Sequence, residues 1–358
     1  MEDIQSLHKD LFIIDGHADS LLWRRDLSIR SNTGHVDIPR LIEGNVAIQT
    51  FAVPTRVPFA GFNTLALKSI VEMENICALF SLKYRVISLA DELYQYQKKL
   101  YPQFRVIKTA TDLKQYISYR QKNPNITAGI LAIEGAHALE NDIDNVAIYA
   151  RKGYRMMSLT HLFDNETGGS SYGNERMGIT DFGEKVLKEM ERHHMIIDVA
   201  HASPILIDNI IALHKAKVLH TPLVASHTGV IAISPHRRNL SDKHIYEIAK
   251  TGGVICIGYF EPAIPYAHPQ LIAESIVYVI ELLNKMGLKG INHVGLGSDF
   301  DGGVNVPFST EKIMLITESL SSKKYNLSIE NIRKIMGENM QRIFLQTLPS
   351  LFKLKNLK

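Results

Sequence analysis

Short apolar segments rich in β-branched residues recur along the chain and alternate with longer segments of helical periodicity. They predict eight strands, at residues 11–15, 46–52, 129–133, 155–159, 195–199, 223–225, 254–257 and 294–297. Strands separated by connections of this length pair in parallel through right-handed crossovers, so eight of them favour an α/β fold of the (β/α)8 TIM-barrel type. The rival is a doubly wound open sheet, which usually carries a glycine-rich turn after its first strand. Neither glycine-rich phosphate-binding motif occurs in that setting here.

The longer segments predict one elaborated domain over residues 1–358, because we find no internal repeat, low-complexity tract or interdomain linker. A helical insertion is predicted at about 54–125, from an apolar stripe at Leu65, Ile70, Met73, Ile76, Leu79 and Phe80. Near the end of the chain, Ser328 can cap a closing helix. The glycine-rich segment 165–178 predicts a loop after the fourth strand, either a lid or wall of an active site or a plain flexible connection.

Composition narrows the function classes. The 358 residues are 45% hydrophobic and 22% charged, with a formal net charge of +3, and the basic residues are scattered. This balance is typical of a globular protein and gives no electrostatic footprint for nucleic acid. The N-terminus is acidic and no apolar stretch is long enough to span a bilayer, so we expect a cytoplasmic protein without a membrane partner. With only Cys77 and Cys256 present, any metal must be held by histidines and carboxylates.

The first predicted strand ends in two groups that can bind metal. It leads into the sequence Ile13-Ile14-Asp15-Gly16-His17-Ala18-Asp19. Because side chains alternate along a strand, His17 and Asp19 leave the same face at its C-terminal end. By itself this pattern is more often a polar group at a sheet edge than a metal site, so its meaning depends on what the other strands supply.

Five other predicted strands also end in a histidine or a carboxylate, namely Glu134, His161, His201, His227 and Asp299. Parallel barrel strands direct their C-terminal ends to one mouth, so these side chains converge. Four histidines and three carboxylates in one mouth call for a divalent metal to balance them, and nitrogen and oxygen ligands suit zinc, manganese, cobalt or nickel. Glu134 could bridge two ions about 3.5–4 Å apart. His137, which follows it, is assigned a supporting role.

The ordered set of motifs resembles the membrane dipeptidase (renal dipeptidase) family of amidohydrolase-like barrels over nearly the whole chain. The motifs are Asp15-Gly16-His17-Ala18-Asp19, Asp37-Ile38-Pro39-Arg40, Ile133-Glu134-Gly135, Leu159-Thr160-His161, Asp198-Val199-Ala200-His201, Ser226-His227, Arg237-Arg238-Asn239, Gly297-Ser298-Asp299-Phe300-Asp301-Gly302 and Gly337-Glu338-Asn339. The lack of a secretory signal, paired cysteines and a lipid-anchor tail indicates a bacterial-type cytoplasmic relative.

The resemblance implies a cofactor of two divalent ions, most commonly Zn2+. His17, Asp19 and Glu134 would hold one ion, and Glu134, His201 and His227 the other. The family's reaction is cleavage of a dipeptide by a metal-bridging hydroxide, with tolerance for a D-residue at the C-terminal position.

The resemblance also implies roles beside the ions. Asp299, His161 and Glu134 would be catalytic: Asp299 handles protons, and His161 contacts the substrate and the developing oxyanion. His161, Arg238 and Asp299 would bind the substrate, with Arg238 on its terminal carboxylate. The partner is then a small molecule, and a homodimer is compatible with the sequence.

Two alternatives stay open. The same binuclear site could act on a cyclic amide, a lactam or a phosphoester, since barrels of this type support many chemistries. The other is a catalytically silent metal-binding barrel that serves as an interaction module. That alternative predicts loss of the proton carrier, yet Asp299 is present.

Overall fold

The computed structural model describes residues 4–55, 81–173 and 177–351, and its centre is a ring of parallel strands. The strands are β1 (Ile13–Ala18), β2 (Val46–Pro54), β3 (Phe104–Val106), β4 (Thr127–Glu134), β5 (Tyr154–Ser158), β6 (Ile196–Asp198), β7 (Val224–Thr228), β8 (Val254–Ile257) and β9 (Val294–Leu296). The eight predicted strands are all found, and their ends differ from the predicted ones by no more than three residues. The sequence did not predict β3, which is too short to show a strand pattern.

Eight of these strands close into a barrel. β2 pairs with β1 and with β4, and the ring continues from β1 through β9, β8, β7, β6 and β5 back to β4. β3 stays outside the ring, because it pairs with residues 127–129 of β4, whereas β5 pairs with residues 131–133. Every pairing is parallel, so the C-terminal ends of the eight strands open on one side of the predicted (β/α)8 TIM barrel.

Helices surround the ring. Within the described ranges they are α1 (Ile4–Asp10), α2 (Ile38–Glu43), α3 (Leu82–Leu100), α4 (Ala110–Arg120), α5 (Asp144–Lys152), α6 (Asp181–Arg192), α7 (Pro204–Lys215), α8 (Asp242–Lys250), α9 (Pro269–Lys285), α10 (Met314–Leu320), α11 (Ile329–Arg333) and α12 (Asn339–Thr347). Seven of them begin after a side chain that accepts a backbone hydrogen bond and so stabilises the first turn, at Asp37, Ser81, Thr109, Thr180, Ser203, Ser241 and Ser328.

The predicted insertion at about 54–125 contributes α3, β3 and α4. The apolar stripe between residues 65 and 80, which suggested helices there, lies outside the described residues. Two helices thus account for much of the described part of this segment, and β3 joins it to the barrel through β4.

The predicted closing helix is present but is interrupted by a π-helical segment, Lys334–Glu338, between α11 and α12. Gly337 in this segment packs against the start of β1, where an added Cβ would lie 1.9 Å from the carbonyl oxygen of Phe12. Only glycine allows that approach. Asn339, the first residue of α12, donates to the carbonyl oxygens of Ile291 and Val294, so the segment and the start of α12 together close the N-terminal end of the barrel.

The barrel interior is apolar at this closed end. Ile14, Ile48, Met156, Ile196 and Val254 come from five different strands and belong to one buried cluster, which Met340 and Phe344 of α12 also join. Strands on different sides of a ring meet in one cluster only through its interior, so these side chains fill the barrel. In the part of the chain that the structure describes, we find no helix with the length and apolar character needed to cross a membrane.

Candidate metal centre

The histidines and carboxylates singled out in the sequence all lie at the C-terminal side of the barrel. Some stand on the strands themselves and others in the turns just beyond, as follows: His17 in β1, Glu134 at the end of β4, His227 in β7, Asp19 after β1, His161 after β5, His201 after β6 and Asp299 after β9. His201 and Asp299 have φ values of 63° and 60°, in the left-handed region that non-glycine residues seldom adopt. Such conformations concentrate at functional sites, where surrounding contacts hold them in place.

Glu134 lies at the middle of four histidines. Its Oε1 is 2.9 Å from Nε2 of His201, 3.3 Å from Nε2 of His227 and 3.5 Å from Nε2 of His17. Its Oε2 is 3.4 Å from Nε2 of His161. One carboxylate therefore contacts side chains from four other strand ends, which is the arrangement that a bridging ligand requires.

Two sets of ligand atoms that share Glu134 are close enough to hold an ion. One set comes from His17, Asp19 and Glu134, the other from Glu134, His201 and His227, and the atoms of each set lie within 4.8 Å of one another. Among the described residues, His17 Nε2, Asp19 Oδ1 and Glu134 Oε2 are buried without a hydrogen-bond partner. Buried polar atoms seldom stay unsatisfied, so these atoms fit a cation as their partner.

Burial shifts the pKa of these groups away from their charged forms. It raises the pKa of Glu134 and of Asp19 well above their ordinary values, an effect that neighbouring carboxylates increase. It lowers the pKa of His201 and His227 well below the ordinary value, and nearby cationic groups lower it further. Neutral imidazoles are the form that binds a metal, and a divalent cation would favour ionised carboxylates beside them.

His137 lies next to the centre on the short helical turn Ala136–Leu139. Its Nδ1 is 3.4 Å from the hydroxyl of Thr55, and it does not belong to the two sets of ligand atoms described above. The supporting role assigned to it from sequence stays a prediction.

Asp299 and Arg238 face the same cavity as the two ligand sets. Burial raises the pKa of Asp299 to about 7, and the charge of Asp19 raises it while that of His17 lowers it. Arg238 is only 4% exposed, and its Nη2 donates to the carbonyl oxygen of His227 at 2.7 Å. Within the described ranges its Nε has no hydrogen-bond partner, so this guanidinium can still receive an anionic group.

The cavity above the centre has a volume of about 270 Å3. Its polar floor consists of Asp19, Glu134, His161, His201, Arg238 and Asp299. Its apolar wall includes Leu22, Trp23, Leu162, Tyr172, Phe260 and Val304. Pockets for drug-sized ligands measure about 300–1,000 Å3, so the space suits a smaller molecule.

The loop after β5, predicted as a lid, a wall or a flexible connection, forms a wall in its described part. Ser170 donates through its hydroxyl to the carbonyl oxygen of His161, and the backbone N–H of Ser171 donates to that of His201 at 2.8 Å. These bonds tie the loop to two residues of the centre. Tyr172 follows directly and lines the cavity, with its ring centroid 6.3 Å from that of His201.

Two buried carboxylates, each paired with a serine, lie next to the histidines. Asp15 accepts from the hydroxyl of Ser298 at 2.5 Å and from its backbone N–H at 2.8 Å. Asp198 accepts from the hydroxyl of Ser226 at 2.5 Å and from its backbone N–H at 2.9 Å. Each pair links the ends of two strands that are neighbours in the ring.

Ser226 also contacts two imidazoles. Its Oγ lies 2.8 Å from Nδ1 of His227 and 3.3 Å from Nδ1 of His17. A third set of ligand atoms within 4.8 Å, from His17, Asp198 and His227, surrounds this hydroxyl. The Ser226 hydroxyl therefore satisfies the three groups of that set.

No role was predicted from the sequence for four residues of these motifs, namely Asp15, Asp198, Ser226 and Ser298. A signal was available, because Asp15 and Asp198 are carboxylates inside otherwise apolar strands. A buried carboxylate must find donors, so its position in a strand predicts a polar partner on a neighbouring strand. Which partner it finds depends on strand register, which the sequence does not reveal.

Comparisons with known proteins agree with this geometry. A family model described as membrane dipeptidase (peptidase family M19) matches residues 1–350. The dipeptidase aclJ of Aspergillus oryzae is 27% identical over 352 residues, covering 92% of this chain and 77% of that protein. The dipeptidase tcpJ of Claviceps purpurea is 24% identical over 345 residues, covering 95% of this chain and 76% of that protein. The fold is similar to a metallo peptidase from Rhodobacter sphaeroides liganded with a phosphinate mimic of the dipeptide L-Ala-D-Ala, with a TM-score of 0.76, 21% identity and coverage of 94% of this chain and 99% of that one.

Proposed function

Because the chain belongs to the membrane dipeptidase family, peptidase family M19, we propose that it is a metal-dependent dipeptidase with two ions at the barrel mouth. The observation that carries the proposal is the convergence of three histidine Nε2 atoms on one oxygen of Glu134. We assign one ion to His17, Asp19 and Glu134 and the other to Glu134, His201 and His227.

We propose zinc as the native metal. The ligand atoms are imidazole nitrogens and carboxylate oxygens, which suit zinc but also other divalent ions of the first transition row. When bound, such ions supply a water of lowered pKa and polarise the scissile carbonyl.

Asp299 is the proposed proton carrier. Water adds across the peptide bond, so that a C–O bond forms and the C–N bond breaks. Asp299 accepts the proton that the water loses and returns it to the leaving amine nitrogen. Without metal, burial raises the pKa of Asp299 to about 7, and bound cations would lower it, so that the carboxylate is ionised and able to accept a proton.

His161 is the proposed contact for the developing oxyanion. Its Nε2 lies 3.4 Å from Glu134 Oε2, which brings the ring to the edge of the ligand sets, and it lines the cavity. A protonated imidazole nitrogen there can donate to the carbonyl oxygen as negative charge develops on it.

Arg238 is the proposed anchor for the C-terminal carboxylate of the substrate. It is a buried cation in the cavity with donor capacity left over, and Arg presents a planar fork that matches a carboxylate. A cavity of about 270 Å3 with this anchor favours a dipeptide over a longer chain. The L-Ala-D-Ala mimic in the Rhodobacter sphaeroides protein supports tolerance for a C-terminal D-residue.

The partner of this protein is then a small peptide. A cytoplasmic location and a homodimer remain predictions from the sequence.

The test is hydrolysis of a panel of L,L and L,D dipeptides by purified protein, with added zinc and after treatment with a chelator. We expect cleavage that the chelator abolishes and zinc restores. A tripeptide, a C-terminally amidated dipeptide, a cyclic amide, a lactam and a phosphoester complete the panel. Metal-dependent turnover confined to one of the last three substrates would contradict the dipeptidase assignment, and turnover of none would favour a silent barrel.

A further inference from the structure

Ser226 lies between two imidazoles that we assign to different ions. Its Oγ is 2.8 Å from Nδ1 of His227 and 3.3 Å from Nδ1 of His17, and the same oxygen is 2.5 Å from Oδ2 of Asp198. All four residues are buried, with exposed fractions of 5% or less. One hydroxyl therefore meets a carboxylate and two histidines in a site removed from bulk water.

The hydroxyl has a single proton, and counting protons decides where it goes. Asp198 accepts through Oδ1 from the backbone N–H groups of Ala200 and Ser226, both at 2.9 Å, so this carboxylate serves as an acceptor. The short contact on Oδ2 is that of a hydroxyl donating to a carboxylate. Because the hydroxyl proton is engaged in the hydrogen bond to Asp198, only the lone pairs of Oγ remain. Oγ can therefore only accept hydrogen bonds from the two imidazoles.

We propose that Ser226 and Asp198 are positioning residues that hold His17 and His227 together in the Nδ1–H tautomer. This tautomer leaves the Nε2 lone pair of each ring on the side of Glu134, where Nε2 of His227 also lies 3.0 Å from Nε2 of His201 and can accept from it in the metal-free protein. The inference rests on the proposed function in one respect, that these two Nε2 atoms bind metal. A single hydroxyl then sets the tautomer of one ligand in each ion site.

His201 shows what the arrangement adds. Its Nδ1 is buried and has no hydrogen-bond partner in the described part of the chain, so no residue there orients the ring from the Nδ1 side, although its Nε2 lies 3.0 Å from Nε2 of His227. Its ring nevertheless reaches Glu134 through Nε2. Two of the three histidines assigned as ligands are thus held by Ser226, and the third is not.

The neighbouring pair of Asp15 and Ser298 supplies a matched control. It has the same chemistry and the same 2.5 Å hydroxyl contact, and Asp15 and Ser298 are both 0% exposed. The other hydrogen bonds of the Ser298 hydroxyl involve the backbone carbonyl of His17 and the backbone N–H of Phe300, and neither involves an imidazole nitrogen. Asp15→Asn therefore removes a buried carboxylate without touching the two Nδ1 atoms.

The experiment is a tautomer measurement on the full-length protein labelled with 15N-histidine, before and during titration with zinc. Two-bond 1H–15N correlation spectra distinguish Nδ1–H from Nε2–H rings. In the wild type we expect both His17 and His227 as Nδ1–H before zinc is added. In Asp198→Asn the side-chain amide of the new Asn donates to Oγ of Ser226. The Ser226 hydroxyl must then donate its hydrogen bond to an imidazole Nδ1. We therefore expect His227, the nearer ring, to change to the Nε2–H tautomer.

Zinc binding gives the second readout. Loss of the partner that orients a metal-binding histidine typically costs about 10–100-fold in metal affinity. We expect a loss in that range for Asp198→Asn and for Ser226→Ala, and no more than a few-fold change for Asp15→Asn. If Ser226→Ala does not fold, which circular dichroism would reveal, the isosteric Asp198→Asn still decides the matter.

The proposal is overturned if Asp198→Asn keeps both rings as Nδ1–H, or if it binds zinc as tightly as the wild type. Neither readout involves a substrate, so failure to cleave dipeptides would contradict the proposed function and leave this inference standing. Conversely, an active dipeptidase with unchanged tautomers in Asp198→Asn would overturn only the positioning role.

Discussion

Arg25 Nη2 lies 2.5 Å from Oδ2 of Asp301, and this ion pair joins the loop after β1 to the loop after β9. The Asp301 carboxylate also accepts from the hydroxyl of Ser20 at 2.7 Å and from the backbone N–H of His35 at 2.7 Å. Its backbone carbonyl accepts from the indole of Trp23. One residue thus fixes the apolar cavity wall at Trp23 relative to the loop that carries Asp299.

Asp301→Asn should lower the free energy of unfolding by about 2 kcal/mol at pH 7, because hydrogen bonds to charged groups contribute about 1.5–3 kcal/mol. Chemical denaturation measures the change. Asp26→Asn is the control, since Asp26 pairs with Lys99 on an exposed surface and should change the free energy by less than about 1 kcal/mol. If the two substitutions change the free energy of unfolding equally, the buried hydrogen bonds of Asp301 contribute no more to stability than an exposed ion pair.

The stabilisation by Asp301 should depend on pH. Burial acts to raise the pKa of Asp301, but its contacts with His35, Arg25 and Ser20 outweigh burial and leave the pKa below its ordinary value. A carboxyl with a lowered pKa stabilises the folded state above its unfolded pKa of about 3.9, and this contribution is lost as pH falls through the folded value. The difference in the free energy of unfolding between wild type and Asp301→Asn should therefore be constant from about pH 5 to about pH 7, because this range lies above the unfolded pKa of about 3.9. The difference should shrink below about pH 4. A difference that grows in acid would contradict this assignment.

Glu134→Gln should abolish metal-dependent hydrolysis and reduce the bound metal. A direct ligand should matter more than an outer partner, so we expect kcat/KM to fall by more than about 100-fold. Elemental analysis of the purified variant and dipeptide assays measure both effects. Glu140→Gln changes an exposed carboxylate just beyond the turn Ala136–Leu139 and should leave metal content and activity unchanged.

Arg238→Ala should weaken activity selectively on substrates with a free C-terminal carboxylate. Truncating one partner of a buried charge pair costs about 2–5 kcal/mol, which corresponds to at least about a 30-fold loss in kcat/KM. A C-terminally amidated dipeptide should be cleaved slowly by wild type and variant alike. Arg237→Ala is the matched control, because Arg237 is exposed and donates to the backbone carbonyl of Tyr172. A similar loss on both substrates would rule out the carboxylate anchor.

Asp299→Asn should lower kcat by about 10²–10⁴-fold, the usual contribution of a positioned proton carrier, while metal content stays near that of the wild type. The dependence of kcat on pH should also lose the acidic limb that arises from protonation of Asp299. Both effects are measured by steady-state kinetics between about pH 5 and about pH 9, an interval centred near neutral pH. If the variant retains the acidic limb, protonation of a group other than Asp299 causes the loss of activity at low pH.

The sequence predicted the eight barrel strands because each is a short buried run, and it predicted their convergence because parallel strands share one open end. His17, Glu134, His201 and His227 could be brought together on that argument alone. Asp301 could not, since its partners Ser20, Arg25 and His35 lie far away in the chain and meet it only through loop geometry. Contacts fixed by loops have no periodic signature in the sequence.

The C-terminal π-helical segment was missed for a related reason. Its residues continue the apolar periodicity of α11 and α12, so the pattern predicts an uninterrupted helix. The interruption occurs where Gly337 packs on the backbone of Phe12, a close approach between distant parts of the chain. Tertiary contact decides the local backbone there.

The attachment of the loop after β5 to His161 and His201 has a consequence for how new specificities can arise. Replacing Tyr172 or its neighbours would shift the backbone of these two residues of the metal centre. Changes on this wall that alter selectivity would therefore also lower turnover. Leu22 and Val304 line other parts of the same cavity, on the loops after β1 and β9. Directed evolution toward other substrates should therefore accumulate its first successful changes at Leu22 and Val304, with Tyr172 accepting change late or only together with its anchors.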